Sequence, residues 1–176
     1  FSDVPNNVVH AWSEKGGLVA FLKPSGYTGP EGAGGREPGA NGLAFDAKGR
    51  LVLCQHGDRR ISRLEDGRFV PVVERFEGKR FNSPNDLVIA ADGAIYFTDP
   101  PYGLTRTFDD PGREIGWNGV YRVAPDGAVT LATHITGDWA VVFLLVSLAL
   151  TPARAVFDWS PLIHIRRRIG VAAALY

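Results

Sequence analysis

The 176-residue chain contains no methionine and one cysteine, Cys54. A single thiol excludes an internal disulfide framework and a cysteine-rich zinc site. Cys54 is therefore expected to be a buried structural thiol, as free cysteines usually are. There is no excess of either charge, since 19 basic residues balance 19 acidic ones. Composition thus gives no reason to expect nucleic-acid binding. No Gly-x-Ser-x-Gly elbow, HExxH pair, P-loop or dinucleotide-binding glycine pattern occurs, so serine-nucleophile and nucleotide chemistry find no support. The chain opens on Phe1-Ser2-Asp3 with neither an initiator methionine nor a signal peptide. It is expected to be a fragment or a processed product.

What is present points to strands and turns. Twenty-one glycines and 12 prolines punctuate short apolar runs, the texture of an all-β protein. The stretch Asn82–Gly103 carries the clearest signal. Asp92-Gly93 is a hairpin turn between two apolar runs, Leu87–Ala90 and Ala94–Thr98. A polar cluster, Asn82, Ser83, Asn85 and Asp86, precedes the first run, and Asp99-Pro100-Pro101-Tyr102-Gly103 follows the second. The hairpin brings both clusters to one end.

This unit repeats. Asn41-Gly42-Leu43 aligns with Asn85-Asp86-Leu87, Gly49-Arg50-Leu51 with Gly93-Ala94-Ile95, and Gln55 with Asp99. Each unit continues into a third strand (Ile61–Leu64; Gly119–Val123), an Asp-Gly turn and a fourth strand (Phe69–Val73; Ala128–Ala132). The N-terminus matches the second half of such a unit, with strands at Val8–Trp12 and Leu18–Leu22. A four-stranded unit of about 40 residues is the signature of a β-propeller blade. The chain supplies about two and a half blades, too few to close a ring. Open blade edges are expected to pair between chains. Pro24–Ala40 and Leu104–Asn118 interrupt the pattern as loops.

Beyond Thr133 the character changes. Trp139–Leu150 is apolar all round, Arg166–Arg168 is basic, and a second apolar run follows. Apolar run, basic turn, apolar run predicts a hydrophobic helical tail over 134–176, embedded in or touching a membrane. A propeller part over 1–133 is expected to be soluble, and no compartment follows from the sequence.

Among residues that could carry chemistry, Asn85 and Asp86 stand out. Inner strands of a propeller line its channel, and converging oxygen atoms there suit a hard cation such as Ca²⁺. His56 lies where a second strand leaves its blade; it can orient a substrate or serve as a hydrogen-bonded structural residue. Asn41, the repeat equivalent of Asn85, can equally be a strand-end feature.

Several motifs then occur in order: Phe1–Asn7, Asn41–Asp46, Gly78–Leu87 (GKRFNSPNDL) and Tyr96–Gly103. Together they resemble the gluconolactonase branch of the senescence-marker-protein/gluconolactonase/luciferin-regenerating-enzyme family, over residues 1–133. The resemblance implies a six-bladed propeller, a divalent cation, usually Ca²⁺, in its channel, and hydrolysis of small sugar lactones. It places Asn85 at metal and substrate, with Asp86 beside it; His56, Asp99 and Tyr102 are further substrate-binding candidates. The family's first-blade Glu-Gly-Pro motif is absent. So are the later-blade Asn ligand and the Asp that serves as ligand and general base. No catalytic residue is therefore assigned, and the chain alone is expected to be inactive. Alternatives from other classes are a non-catalytic propeller-type binding module and part of a membrane redox subunit. The latter arises because Thr136–Ala140 and Pro161–Gly170 resemble the haem-binding membrane subunit of the bacterial methionine sulfoxide reductase system.

Overall fold

A computed structural model describes residues 1–133. The chain divides into two compact units, Phe1–His134 and Ile135–Tyr176. The expected helical, membrane-associated tail falls in the second and lies outside the described residues. Among the described residues, no helix is long and apolar enough to cross a membrane.

The described unit is all-β apart from one 3-10 turn, Thr107–Asp109. Its strands form three main antiparallel sheets. The first holds β1 (Ser2–Asp3), β2 (Val8–Ser13) and β3 (Gly17–Leu22). The second holds β4 (Ala40–Phe45), β5 (Leu51–Gln55), β6 (Arg60–Glu65) and β7 (Arg68–Val73). A two-residue pair, β8 (Arg75–Phe76) and β9 (Lys79–Arg80), leads to the third. That sheet holds β10 (Leu87–Ile89), β11 (Ile95–Asp99), β12 (Gly119–Val123) and β13 (Val129–Thr133). Each main sheet is a simple meander whose strands pair in chain order. These are propeller-like blades: two of four strands and one of three, where only half a blade was expected at the N-terminus.

The hairpin register is Leu87↔Phe97, Val88↔Tyr96 and Ile89↔Ile95. Its turn is tied by Asp92 Oδ1, which accepts from the Ala94 N–H at 2.9 Å. The repeat alignment holds as well. Gln55 and Asp99 each close a second strand, pairing with Arg60 and Gly119 at the start of the third.

Packing explains why β5 reads as an unbroken apolar run. Every residue of β5 is buried. Leu51 and Leu53 join Val9 and Ala40 in one cluster, while Val52 and Cys54 join a larger cluster with Phe81, Phe97, Ile115 and Tyr121. The middle sheet is thus covered on both faces, and period-2 alternation disappears. Cys54 is fully buried, and burial pushes its thiol well above the ordinary range. Phe81, Phe97 and Tyr121 form a closed aromatic set with ring centroids 5.0–5.5 Å apart.

The outer faces differ. Trp12, Leu18, Val19 and Phe21 on the first sheet, and Val88 on the third, are more than half exposed. Phe97→Ala should cost about 3–5 kcal/mol of stability, because it empties the centre of the aromatic set. Val88→Ala, one register position away on the opposite face, should change stability by no more than about 0.5 kcal/mol. Urea unfolding of the two variants checks the contrast.

Candidate functional site

The inner strands of the second and third sheets meet at their beginnings. The Gly42 N–H donates to the Asn85 carbonyl at 2.7 Å. This approach needs glycine, since a Cβ at residue 42 would lie 2.8 Å from the Asp86 Cα and 3.0 Å from the Asn85 oxygen. Asn85 is held by its own N–H, which donates to the Thr98 carbonyl at 2.8 Å.

That contact places Asn41 beside Asn85. Asn41 Nδ2 donates to Asn85 Oδ1 at 2.7 Å and lies 3.4 Å from His56 Nε2. The His56 side chain has no exposure, and its Nδ1 lies 4.0 Å from Glu37 Oε2. Burial drives the His56 pKa down to about 4, so the ring is neutral near pH 7. Asp86 is exposed; its Oδ1 accepts from the Leu87 N–H at 2.9 Å, which stiffens the start of β10.

Asp99 has a different task. It is 1% exposed. Oδ2 accepts from the Asn82 N–H at 2.8 Å and Oδ1 from the Ser83 N–H at 2.9 Å. Asn82 Nδ2 donates back to the Asp99 carbonyl at 3.1 Å, and to the Trp117 carbonyl at 2.9 Å. Ser83 Oγ donates to the Pro100 carbonyl at 2.6 Å and accepts from the Gly103 N–H at 2.9 Å. Gly103 is wedged between two side chains, for a Cβ there would come within 2.9 Å of both His56 and Ser83. The two polar clusters thus close on each other through Asp99. Burial raises the Asp99 pKa to about 7, against the pull of the two N–H groups and of Arg59 and Arg113.

The expected site residues therefore part company. Asn85 and Asp86 stand together at the inner strand start, where they were expected. His56 and Asp99 were expected at the substrate, but both are buried: His56 stands behind Asn41, and Asp99 is consumed in pinning a loop. Tyr102 is 47% exposed and meets Phe108 edge-on at 6.4 Å, on the surface of the long loop. Asn41 is the neighbour that motif reasoning left as a strand-end feature, although its repeat equivalence to Asn85 was the signal. Glu37 sits in the glycine- and proline-rich loop and carried no signal.

A divalent cation fits this cluster poorly. Ca²⁺ takes 6–8 oxygen ligands. Here the Asn85 amide oxygen and Asp86 Oδ1 each already accept a hydrogen bond. Among the described residues, no group of three or more His, Cys, Asp or Glu converges.

The two buried titrating groups oppose each other. The folded state depresses His56 from 6.5 to about 4, so the stability it contributes is present above 6.5 and lost as pH falls toward 4. It raises Asp99 from 3.8 to about 7, so that contribution is full below 3.8 and lost as pH rises through 7. The depressed carboxylates, Asp3, Asp46, Asp110 and Glu114, act mainly below about pH 4.5. Between about pH 5 and 6.5, His56→Gln should make stability fall with rising pH, and Asp99→Asn should make it rise. Thermal melts across that range read both slopes.

Comparison with known proteins follows the same residues. The family model described as the SMP-30/Gluconolactonase/LRE-like region matches residues 1–137. The gluconolactonase of Zymomonas mobilis subsp. mobilis is 45% identical over 135 residues, covering 74% of this chain and 38% of that protein. The solved structure of a gluconolactonase from Xanthomonas campestris superposes with a TM-score of 0.61 at 38% identity, covering 76% of this chain and 42% of that one. A separate short match, 42% identical over 48 residues, is to the protein-methionine-sulfoxide reductase heme-binding subunit of Herminiimonas arsenicoxydans; it covers 27% of this chain and 22% of that protein. The chain spans less than half the length of each of these relatives. By its matched residues and its sheets, the chain belongs to the SMP-30/Gluconolactonase/LRE-like family.

Proposed function

We propose that residues 1–133 are part of a six-bladed, sugar-lactone-hydrolysing propeller and contribute one wall of its channel. The observation that carries this reading is the paired amides of Asn41 and Asn85 at adjoining inner strand starts, with the exposed Asp86 carboxylate beside them. Amides and carboxylates at fixed spacing are the groups that grip sugar hydroxyls, because they offer both donors and acceptors without an apolar surface. Family membership supports the substrate class.

The same geometry limits what this chain does alone. Lactone hydrolysis needs an activated water and a stabilised carbonyl oxygen. His56 and Asp99, the groups of this cluster that could move a proton, are both buried. Ca²⁺ remains the expected cofactor of the complete fold. The few oxygens contributed here do not hold it. We assign this chain binding without turnover.

Exposed Trp12, Leu18, Val19 and Phe21 also support self-association, now through an open sheet face as well as through strand edges.

Titration with gluconolactone should shift the side-chain amide resonances of Asn41 and Asn85, and Asn85→Ala should remove the response. Hydrolysis should stay at the metal-free background with or without Ca²⁺. Absence of the shifts refutes lactone binding; turnover above background refutes the assignment of an inactive chain.

A further inference from the structure

We propose that Glu37, His56 and Asn41 form a polar relay, with the Glu37 carboxylate acting on the ring through its charge, that sets the amide of Asn85, so that Asn85 turns its N–H groups outward and its oxygen inward. The relay itself stands on geometry; its use for a sugar lactone rests on the function proposed above.

The argument begins at the buried imidazole. A neutral imidazole has one N–H and one lone pair, and its neighbours decide which nitrogen holds the proton. Nδ1 is buried without a partner at hydrogen-bond distance; it faces Glu37, whose carboxylate lies 4.0 Å away and whose backbone carbonyl lies on the same side. Both groups can only accept. The proton therefore belongs on Nδ1, and Nε2 carries the lone pair.

Nε2 must then meet a donor. Asn41 Nδ2, at 3.4 Å, is that donor. An amide NH₂ has two hydrogens. The second goes to Asn85 Oδ1 at 2.7 Å, the shorter of the two contacts. Asn85 thus spends its oxygen on Asn41. Its side chain also meets the His56 ring, and the residue is half-buried rather than sealed.

The opposite arrangement is self-consistent too. A proton on Nε2 would require the Asn41 oxygen at that point. Asn41 would then accept from Asn85 Nδ2, and the Asn85 oxygen would face outward as a cation or hydroxyl acceptor. The two states differ by the position of one proton on a buried ring, and Glu37 selects between them. In the selected state, Asn85 recognises an oxygen acceptor, such as a hydroxyl or carbonyl oxygen of a lactone. Glu37, His56 and Asn41 are positioning residues: they act through Asn85 and do not touch the ligand.

The long-range ¹H–¹⁵N spectrum of the His56 ring in the full chain near pH 7 tests this directly. The expected wild-type pattern is a protonated Nδ1 and a bare Nε2, a result that needs no variant to fold. In Asn41→Asp, the carboxylate has no hydrogen to give, and Nε2 should gain a proton. A protonated Nε2 in the wild type, or a bare one in a folded Asn41→Asp variant, overturns the relay. Gluconolactone is then added to both proteins. Shifts of the Asn85 amide in the wild type, reduced at least several-fold in Asn41→Asp, support both relay and substrate. The expected ring pattern without any lactone response upholds the relay and refutes the lactone reading instead.

Discussion

A β-sheet has two faces, and a sheet of four short strands stays folded only when at least one of them is kept from water. The middle sheet here is covered on both. Leu51 and Leu53 face one neighbouring sheet, Val52 and Cys54 the other. Everything else in the described unit takes its place from that sandwiching. The aromatic set of Phe81, Phe97 and Tyr121 lies on one side of it, and the Gly42–Asn85 contact joins the inner strands at its edge.

The polar interior follows a second rule, that buried acceptors must be filled. Asp99 and Gln55 occupy the same place in successive sheets and solve it differently. Asp99 binds the backbone of Asn82 and Ser83. Gln55 Oε1 accepts from Arg60 Nε at 2.7 Å and Ser62 Oγ at 2.6 Å, while its Nε2 donates to the Ser25 carbonyl at 3.0 Å. A position that looks like a candidate ligand in the sequence thus acts as a fastener for whichever loop passes over it. The candidate site is what remains exposed once these fasteners are in place.

Much of the fold was legible because the signals were local. Asp-Gly turns and the spacing of apolar runs gave the strands, and self-similarity gave the sheets. The β8–β9 pair escaped notice; its turn places Glu77 and Gly78 at φ values of +50° and +78°, and Glu is an unusual residue for that conformation. The site was less legible. A motif shows which residue types cluster but not which way a side chain turns. The sequence therefore grouped buried Asp99 and His56 with exposed Asp86. Glu37 could not be anticipated, because a long glycine-rich loop gives no periodicity from which to place it.

The joining of Asn41 to Asn85 also bears on the order in which the molecule forms. Strand pairings within each sheet connect neighbours along the chain, so their loops close early and at small entropic cost. The amide contact links residues 44 positions apart. It can form only after two separate meanders exist and have docked. The cluster that gives this chain its chemical character accordingly depends on that docking as well as on each sheet's own pairing, and opening of the sheet interface removes it.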